Sequence, residues 1–213
     1  MVKEAEEKPQ RRASKELRRR QLILATIKSI AKYGLSDTKL SHVSKAAGLS
    51  QGIINFHFKS KEDLLIETLK YIRDDYEETW LKALAACPDE PAAMLAVLAC
   101  VDFDASAFDR NKLAVWFAFW GEASARPIYR RICKERDEGY SQMIIDLMTR
   151  LAEEGSYEAV NPVAVSTGFQ ALTEGLWLAI HLSPKSVGRE DTKLIALEYL
   201  ALYFPQHAHN FKE

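Results

Sequence analysis

The sequence predicts an all-α chain in two parts, and three observations carry that expectation. Apolar residues recur at spacings of three and four along most of the 213 residues, and no stretch alternates with a period of two. Turn formers are sparse, 9 Gly and 7 Pro, too few for the many tight connections of an all-β fold. Charge divides the chain: residues 1–61 carry 14 Lys/Arg against 5 Asp/Glu, whereas residues 62–213 carry 15 against 25. A basic quarter on an acidic body suggests a polyanion-binding module joined to something else, because charge speaks to partners more than to fold. A solvated charged face with no partner is the plainer alternative.

Taken in order, residues 1–14 (MVKEAEEKPQRRAS) lack an apolar period and are expected to form a disordered basic arm. Leu17, Leu24, Ile27, Ile30 and Ala31 mark a helix from Lys15 to Tyr33, stopped by Gly34. Thr38 or Ser41 can start a short helix carrying Leu40, Val43, Ala46 and Ala47, which ends at Gly48. Ser50 can cap a third, Gln51 to about His57. Ser60 with Asp63 three residues on fits a capping box for a long helix over 61–86, broken by CPDEP at 87–91. Further helices are expected at about 91–104, 110–123, 127–154, 162–182 and 190–204, with residues 206–213 as a tail. The expected domains are 15–60 and 61–205, with 61–86 linking them.

Several function classes find no support. No run approaches the ~18 uninterrupted apolar residues of a membrane span, and the first 20 residues are charged, unlike a secretory leader. A cytoplasmic chain without membrane contact is expected. Cys87, Cys100 and Cys133 are odd in number and widely spaced, as suits reduced thiols. Cys133 lies between Arg131 and Lys134, a setting that can activate a thiol, but a lone Cys in an amphipathic helix is ordinarily structural. There is no G-x-G-x-x-G, Walker loop, G-x-S-x-G or H-E-x-x-H, and the five histidines are scattered. No enzyme activity, cofactor or metal site is expected.

Helix, Gly-Leu-Ser turn, helix over residues 40–57 is the layout of a helix-turn-helix, and also of a helical hairpin that merely packs. The basic half favours the first. In such a unit the second helix enters the major groove with its N-terminal residues at base edges. Gln51 and Asn55 can donate and accept there, and Gly52 permits close backbone approach. Lys45, Lys59 and Lys61 suit phosphates, and His57 a backbone contact. With Thr38, Ser41 and Ser50 at the helix starts, the expected DNA-facing set is Thr38, Ser41, Lys45, Ser50, Gln51, Gly52, Asn55, His57 and Lys61.

The run TKLSHVSKAAGLSQGIINFHFKSKEDLL, Thr38–Leu65, resembles the DNA-binding domain of the tetracycline-repressor (TetR) family, a likeness spanning residues 15–70. It departs from the family at Asn55, where many members carry Tyr. The S-x-G-I-I pattern at Ser50–Ile54, WFAFWGEASARPIYRR at 116–131 and GLWL at 175–178 are similar to the BetI-type regulators of choline and glycine betaine metabolism. The resemblance implies an N-terminal three-helix DNA-binding domain and a C-terminal helical ligand-binding and dimerisation domain. It further implies a repressor that binds a pseudo-palindromic operator as a homodimer and is released by choline or a related quaternary ammonium. The alternatives are a different small apolar or cationic effector, a helical interaction module with a basic N-terminal face, and a ligand-binding or catalytic domain with an incidental basic arm.

Two features of the C-terminal part acquire meaning from that resemblance. Ala164, Gly168, Ala171, Gly175 and Ala179 form one small-residue stripe, which suits either a two-fold dimer contact or internal packing. Trp116 and Trp120 share a helix face, as do Glu174, Trp177 and His181, and Tyr76 and Trp80. A quaternary ammonium is held by aromatic faces with a carboxylate nearby. The expected cage is Trp116, Trp120, Tyr140 and Trp177, with Glu122 or Glu174 supplying charge; ordinary core packing is the competing reading of those aromatics.

Overall fold

A computed structural model describes residues 3–105, 107 and 109–212, with side chains from residue 14 onward except 136 and 137. Its helices are α1 (Lys3–Tyr33), α2 (Leu40–Ala47), α3 (Gln51–His57), α4 (Lys61–Ala85), α5 (Pro91–Val101), α6 (Arg110–Glu122), α7 (Pro127–Glu154), α8 (Pro162–Leu182) and α9 (Arg189–Tyr203), followed by a 3-10 helix, Pro205–Phe211. No strand occurs among the described residues.

The helix ends show why the boundaries fall where they do. Gly34, at φ 81°, ends α1 with its N–H on the Ile30 carbonyl at 2.8 Å. At α4 half of the expected box is present: Asp63 N–H donates to Ser60 Oγ at 3.0 Å, while Asp63 Oδ2 accepts from the N–H of Lys59, one residue before the cap, at 2.9 Å. Asn161 caps α8 by accepting from the N–H groups of Val163 and Ala164, with Pro162 pre-set for the first turn. Other starts differ from expectation. Lys39, not Thr38 or Ser41, precedes α2, and its N–H is taken by His42 Nδ1 at 3.3 Å. Ser50 stands at the N-cap of α3 but makes no side-chain cap bond. The helix expected from Lys15 is preceded by helical backbone from Lys3. Residues expected as a tail form the 3-10 helix, because Phe211 buries its ring.

The chain divides into two compact units. The first comprises Met1–Ile72 with Ala114–Arg130, so a segment of α6 and the start of α7 join α1, α2 and α3, which sequence spacing did not suggest. Its core holds Leu22, Ile27 and Ile30 of α1, Val43 of α2, Ile54 of α3 and Leu64 and Leu69 of α4, with Trp116, Phe119 and Tyr129. The second comprises Arg73–Leu113 and Arg131–Glu213. There α5, α8, α9 and the 3-10 helix pack around Leu95, Leu98, Phe103, Phe169, Leu200 and Phe204. By length and composition alone, α8 is apolar enough to cross a membrane, although polar residues interrupt it. Its Val165, Phe169, Thr173 and Trp177 are buried in the unit, and a core helix passes the same test of composition.

Candidate functional site

The α2–turn–α3 unit is closed by Gly48 in the left-handed region (φ 65°, ψ 30°), with Leu49 N–H on the Ser44 carbonyl at 3.0 Å. Gln21 of α1 holds the end of α2 through Nε2 to the Ala47 carbonyl at 2.8 Å. Arg19 holds the end of α3. Its guanidinium donates to the His57 carbonyl at 3.3 Å and to the Glu67 carboxylate of α4, and lies 4.6 Å from the Phe58 ring centroid. Hydrogen bonds from Lys70 and Arg19 hold the Glu67 carboxyl below its usual range, against burial, the largest influence, which acts the other way. Ile54 and Phe58 are buried beneath α3, and their anchoring fixes which edge faces outward.

That outward edge carries Gln51, Gly52, Ile53, Asn55 and Phe56, with Ser41, Lys45, Ser50 and Lys59 exposed nearby. Phe56 is 71% exposed, with Lys15 Nζ 5.8 Å from its ring. Lys61 is half-buried and its ammonium donates to the Ser36 carbonyl at 3.4 Å. Thr38 is buried, donating its hydroxyl to the Gly34 carbonyl at 2.6 Å, so its side chain supports the turn rather than the exposed edge. His57 is half-buried, and its Nδ1 has no hydrogen-bond partner among the described residues. Burial, then the charges of Lys15 and Arg19, lowers its pKa, against a smaller opposing influence of Glu16. Sequence reasoning missed Arg19, whose role depends on contacts 38 and 48 residues away.

The residues expected to form a cage fall in different units. In the first unit Trp116 is fully buried, its ring 5.9 Å from that of half-buried Trp120. Glu122 accepts from Arg126 Nε at 3.3 Å, and Arg126 also reaches Glu62 at 3.4 Å. In the second unit Tyr140 and Trp177 are buried and come together, while Glu174 is half-buried. Their meeting point is Asp102, just after α5 and 1% exposed. Its Oδ1 accepts from the Tyr76 hydroxyl at 2.5 Å and its Oδ2 from the Tyr140 hydroxyl at 2.9 Å. Trp177 Nε1 donates to the Asp102 carbonyl at 2.7 Å. An acid at a helix C-terminus opposes the helix dipole, and its burial adds a desolvation cost; the two hydroxyls offset part of both. Sequence spacing paired Tyr76 with Trp80 but did not single out Asp102.

The small-residue stripe of α8 is partly internal. A Cβ on Gly168 would lie 2.2 Å from the Tyr199 hydroxyl of α9, so glycine there leaves room for the Tyr199 side chain. Ala164, Ala171 and Gly175 are exposed and Ala179 is half-buried. Leu178 and Leu182 continue the exposed side, and α9 adds Leu194, Ile195 and Leu202, the last 79% exposed. Among the described residues no three His, Cys, Asp or Glu gather as a metal-ion site.

Residues 22–68 match the family described as bacterial regulatory proteins, tetR family, and residues 91–205 match the BetI-type transcriptional repressor C-terminal domain. The HTH-type transcriptional regulator BetI of Burkholderia thailandensis is 30% identical over 195 residues, covering 91% of this chain and 97% of that protein. A transcriptional regulator from Pseudomonas aeruginosa PAO1 has a similar fold, with a TM-score of 0.79 at 23% identity, covering 92% of this chain and 95% of that one. So does a transcriptional regulator from Saccharomonospora viridis solved in complex with choline, with a TM-score of 0.74 at 19% identity, covering 85% and 94%. A helix-turn-helix with an exposed α3 edge is therefore joined to sequence likeness along most of the chain: it belongs to the TetR family of transcriptional regulators, as a BetI-type repressor.

Proposed function

We propose that this repressor binds a pseudo-palindromic operator as a homodimer and is released by choline or a related quaternary ammonium, so controlling choline and glycine betaine metabolism in the cytoplasm. The observation that carries the DNA-binding part is the outward edge of α3. Gln51 and Asn55 are exposed amides there, while Ile54 and Phe58 anchor the other side. Amides of that kind read adenine edges by paired hydrogen bonds. Ser41, Lys45, Ser50, Gly52, His57 and Lys61 flank that edge as backbone contacts, and Thr38 supports it from beneath.

The effector class is supported by the BetI-type match and by the choline named with the S. viridis relative. Of the expected cage residues, Trp116, Trp120 and Glu122 stand in the first unit and Tyr140, Trp177 and Glu174 in the second, and each group is a candidate within its own unit. The dimer surface is read from the exposed side of α8, Ala164, Ala171, Gly175, Leu178 and Leu182, with Leu194 and Leu202 of α9. Gly168 and Ala179 of the predicted stripe support that face from within. A ligand shifts operator occupancy only by its differential affinity for the two states of the dimer, so release requires tighter binding to the DNA-free form.

Footprinting on the DNA upstream of the protein's own coding region, followed by titration with choline, tests the reading. Protection of a two-fold symmetric site that choline abolishes is expected. Binding without sequence preference would reject operator recognition. Protection that choline leaves intact would point to another small apolar or cationic effector within the same architecture.

A further inference from the structure

The second unit holds a buried carboxylate in contact with aromatic side chains, that of Asp102, which was not among the expected acids of the cage, Glu122 and Glu174. Asp102 is buried, with both carboxylate oxygens accepting from tyrosine hydroxyls and its carbonyl accepting from an indole N–H. Around it the Tyr76 ring lies 5.7 Å from that of Tyr140 and 5.9 Å from that of Trp177, the latter pair perpendicular. Trp80 meets Tyr140 edge-on at 5.8 Å. Tyr76, Tyr140 and Trp177, from α4, α7 and α8, thus bond to one buried acid, and Trp80 packs on the Tyr140 ring. Ring faces carry negative electrostatic potential, so rings and acid together favour a cation, including one that offers no hydrogen-bond donor.

The same group of rings is reached from the protein surface. Trp80 and Tyr140 also line a slot of about 20 Å³ with Glu77, Glu135 and Gly139. Glu135 is paired with Arg73 at 2.9 Å, while Glu77 is exposed. A Cβ added at Gly139 would meet nothing within 4 Å, so the wall there is low. The slot has room for about one water, so a larger guest must part Trp80 from Tyr140 to pass.

We infer that Asp102 is the counter-ion of the cationic effector, which reaches it through the Trp80–Tyr140 slot and takes over the carboxylate from the tyrosine hydroxyls. This rests on the quaternary ammonium reading above and assigns its charge partner. Because Tyr76 stands on α4 and Tyr140 on α7, loosening their shared acceptor changes the restraint between those two helices within the unit.

The test uses the full-length protein and two probes of nearly equal shape, choline and its neutral carbon isostere 3,3-dimethylbutan-1-ol, with affinities from calorimetry. The wild type is expected to prefer choline by roughly tenfold or more, the scale of a desolvated cation–π and charge contact. In Asp102→Asn that preference should fall to about onefold. A merely structural Asp102 would instead weaken both probes alike and leave the ratio standing, which overturns the assignment, as does a variant that binds choline within twofold of the wild type. A wild type that binds neither choline nor tetramethylammonium rejects the quaternary ammonium reading itself. Should Asp102→Asn fail to fold, by circular dichroism, Gly139→Leu takes its place. It is expected to slow choline association at least several-fold, and an unchanged association rate overturns the route to Asp102.

Discussion

Asn55 and Gln51 differ in kind from the lysines around them, although all lie on or near the same exposed edge. An amide that pairs with a base edge carries discrimination of about 1–3 kcal/mol. Asn55→Ala is therefore expected to flatten the preference for one base pair in each half-site, seen by comparing operator variants; an equal loss on every sequence would argue against base reading. Lys45→Ala should instead weaken all DNA alike and reduce the slope of log affinity against log salt by about 1. His57 adds a pH dependence of determinate sign. Its pKa in the folded protein is lowered by burial and then by Lys15 and Arg19, so protonation favours the unfolded chain. Its contribution to stability is complete above the ordinary histidine value and is lost as pH falls below it. Phosphates nearby favour the imidazolium, so operator binding takes up a proton and should tighten, relative to a His57→Gln variant, as pH drops from about 7.5 to 6. Identical pH profiles for the two proteins would remove His57 from the interface.

At the scale of elements, two glycines act in opposite ways. Gly48 has open space where a Cβ would stand, so its requirement is purely conformational: φ 65° is left-handed. Gly48→Val should cost about 1–2 kcal/mol of stability, and Gly48→Asn clearly less, because Asn tolerates that region. Gly168 is ordinary helix, and its requirement is purely steric, from the Tyr199 hydroxyl that donates to the Val165 carbonyl at 3.1 Å. Gly168→Ala should destabilise the α8–α9 pair by about 1–3 kcal/mol, largely rescued by adding Tyr199→Phe. Thermal melts of the single and double variants check both. The first glycine was legible in the sequence, since a Gly-Leu-Ser turn between two short helices calls for it. The second stood in the sequence as part of a small-residue stripe, and only the position of α9 shows what it touches.

For the whole molecule, the exposed apolar residues of α8 and α9 matter most. Leu178, Leu182 and Leu202 are exposed, and two-fold pairing would cover them. On the proposed homodimer, Leu202→Glu is expected to give a monomer in sedimentation and to lower operator affinity sharply, because one half-site contact remains. A variant that stays dimeric with full operator affinity would place the interface elsewhere.

By itself the sequence determined the helical class, nearly every helix boundary and the helix-turn-helix with its exposed amides. Those features depend on local rules: apolar spacing, caps, and glycine where φ is positive. What only the tertiary structure decided is which aromatic residues meet and which acid they contact. Tyr76 and Tyr140 are 64 positions apart in the chain, yet their hydroxyls share the carboxylate of Asp102. No periodicity encodes that meeting, because it follows from the packing of separate helices rather than from the spacing along any one of them.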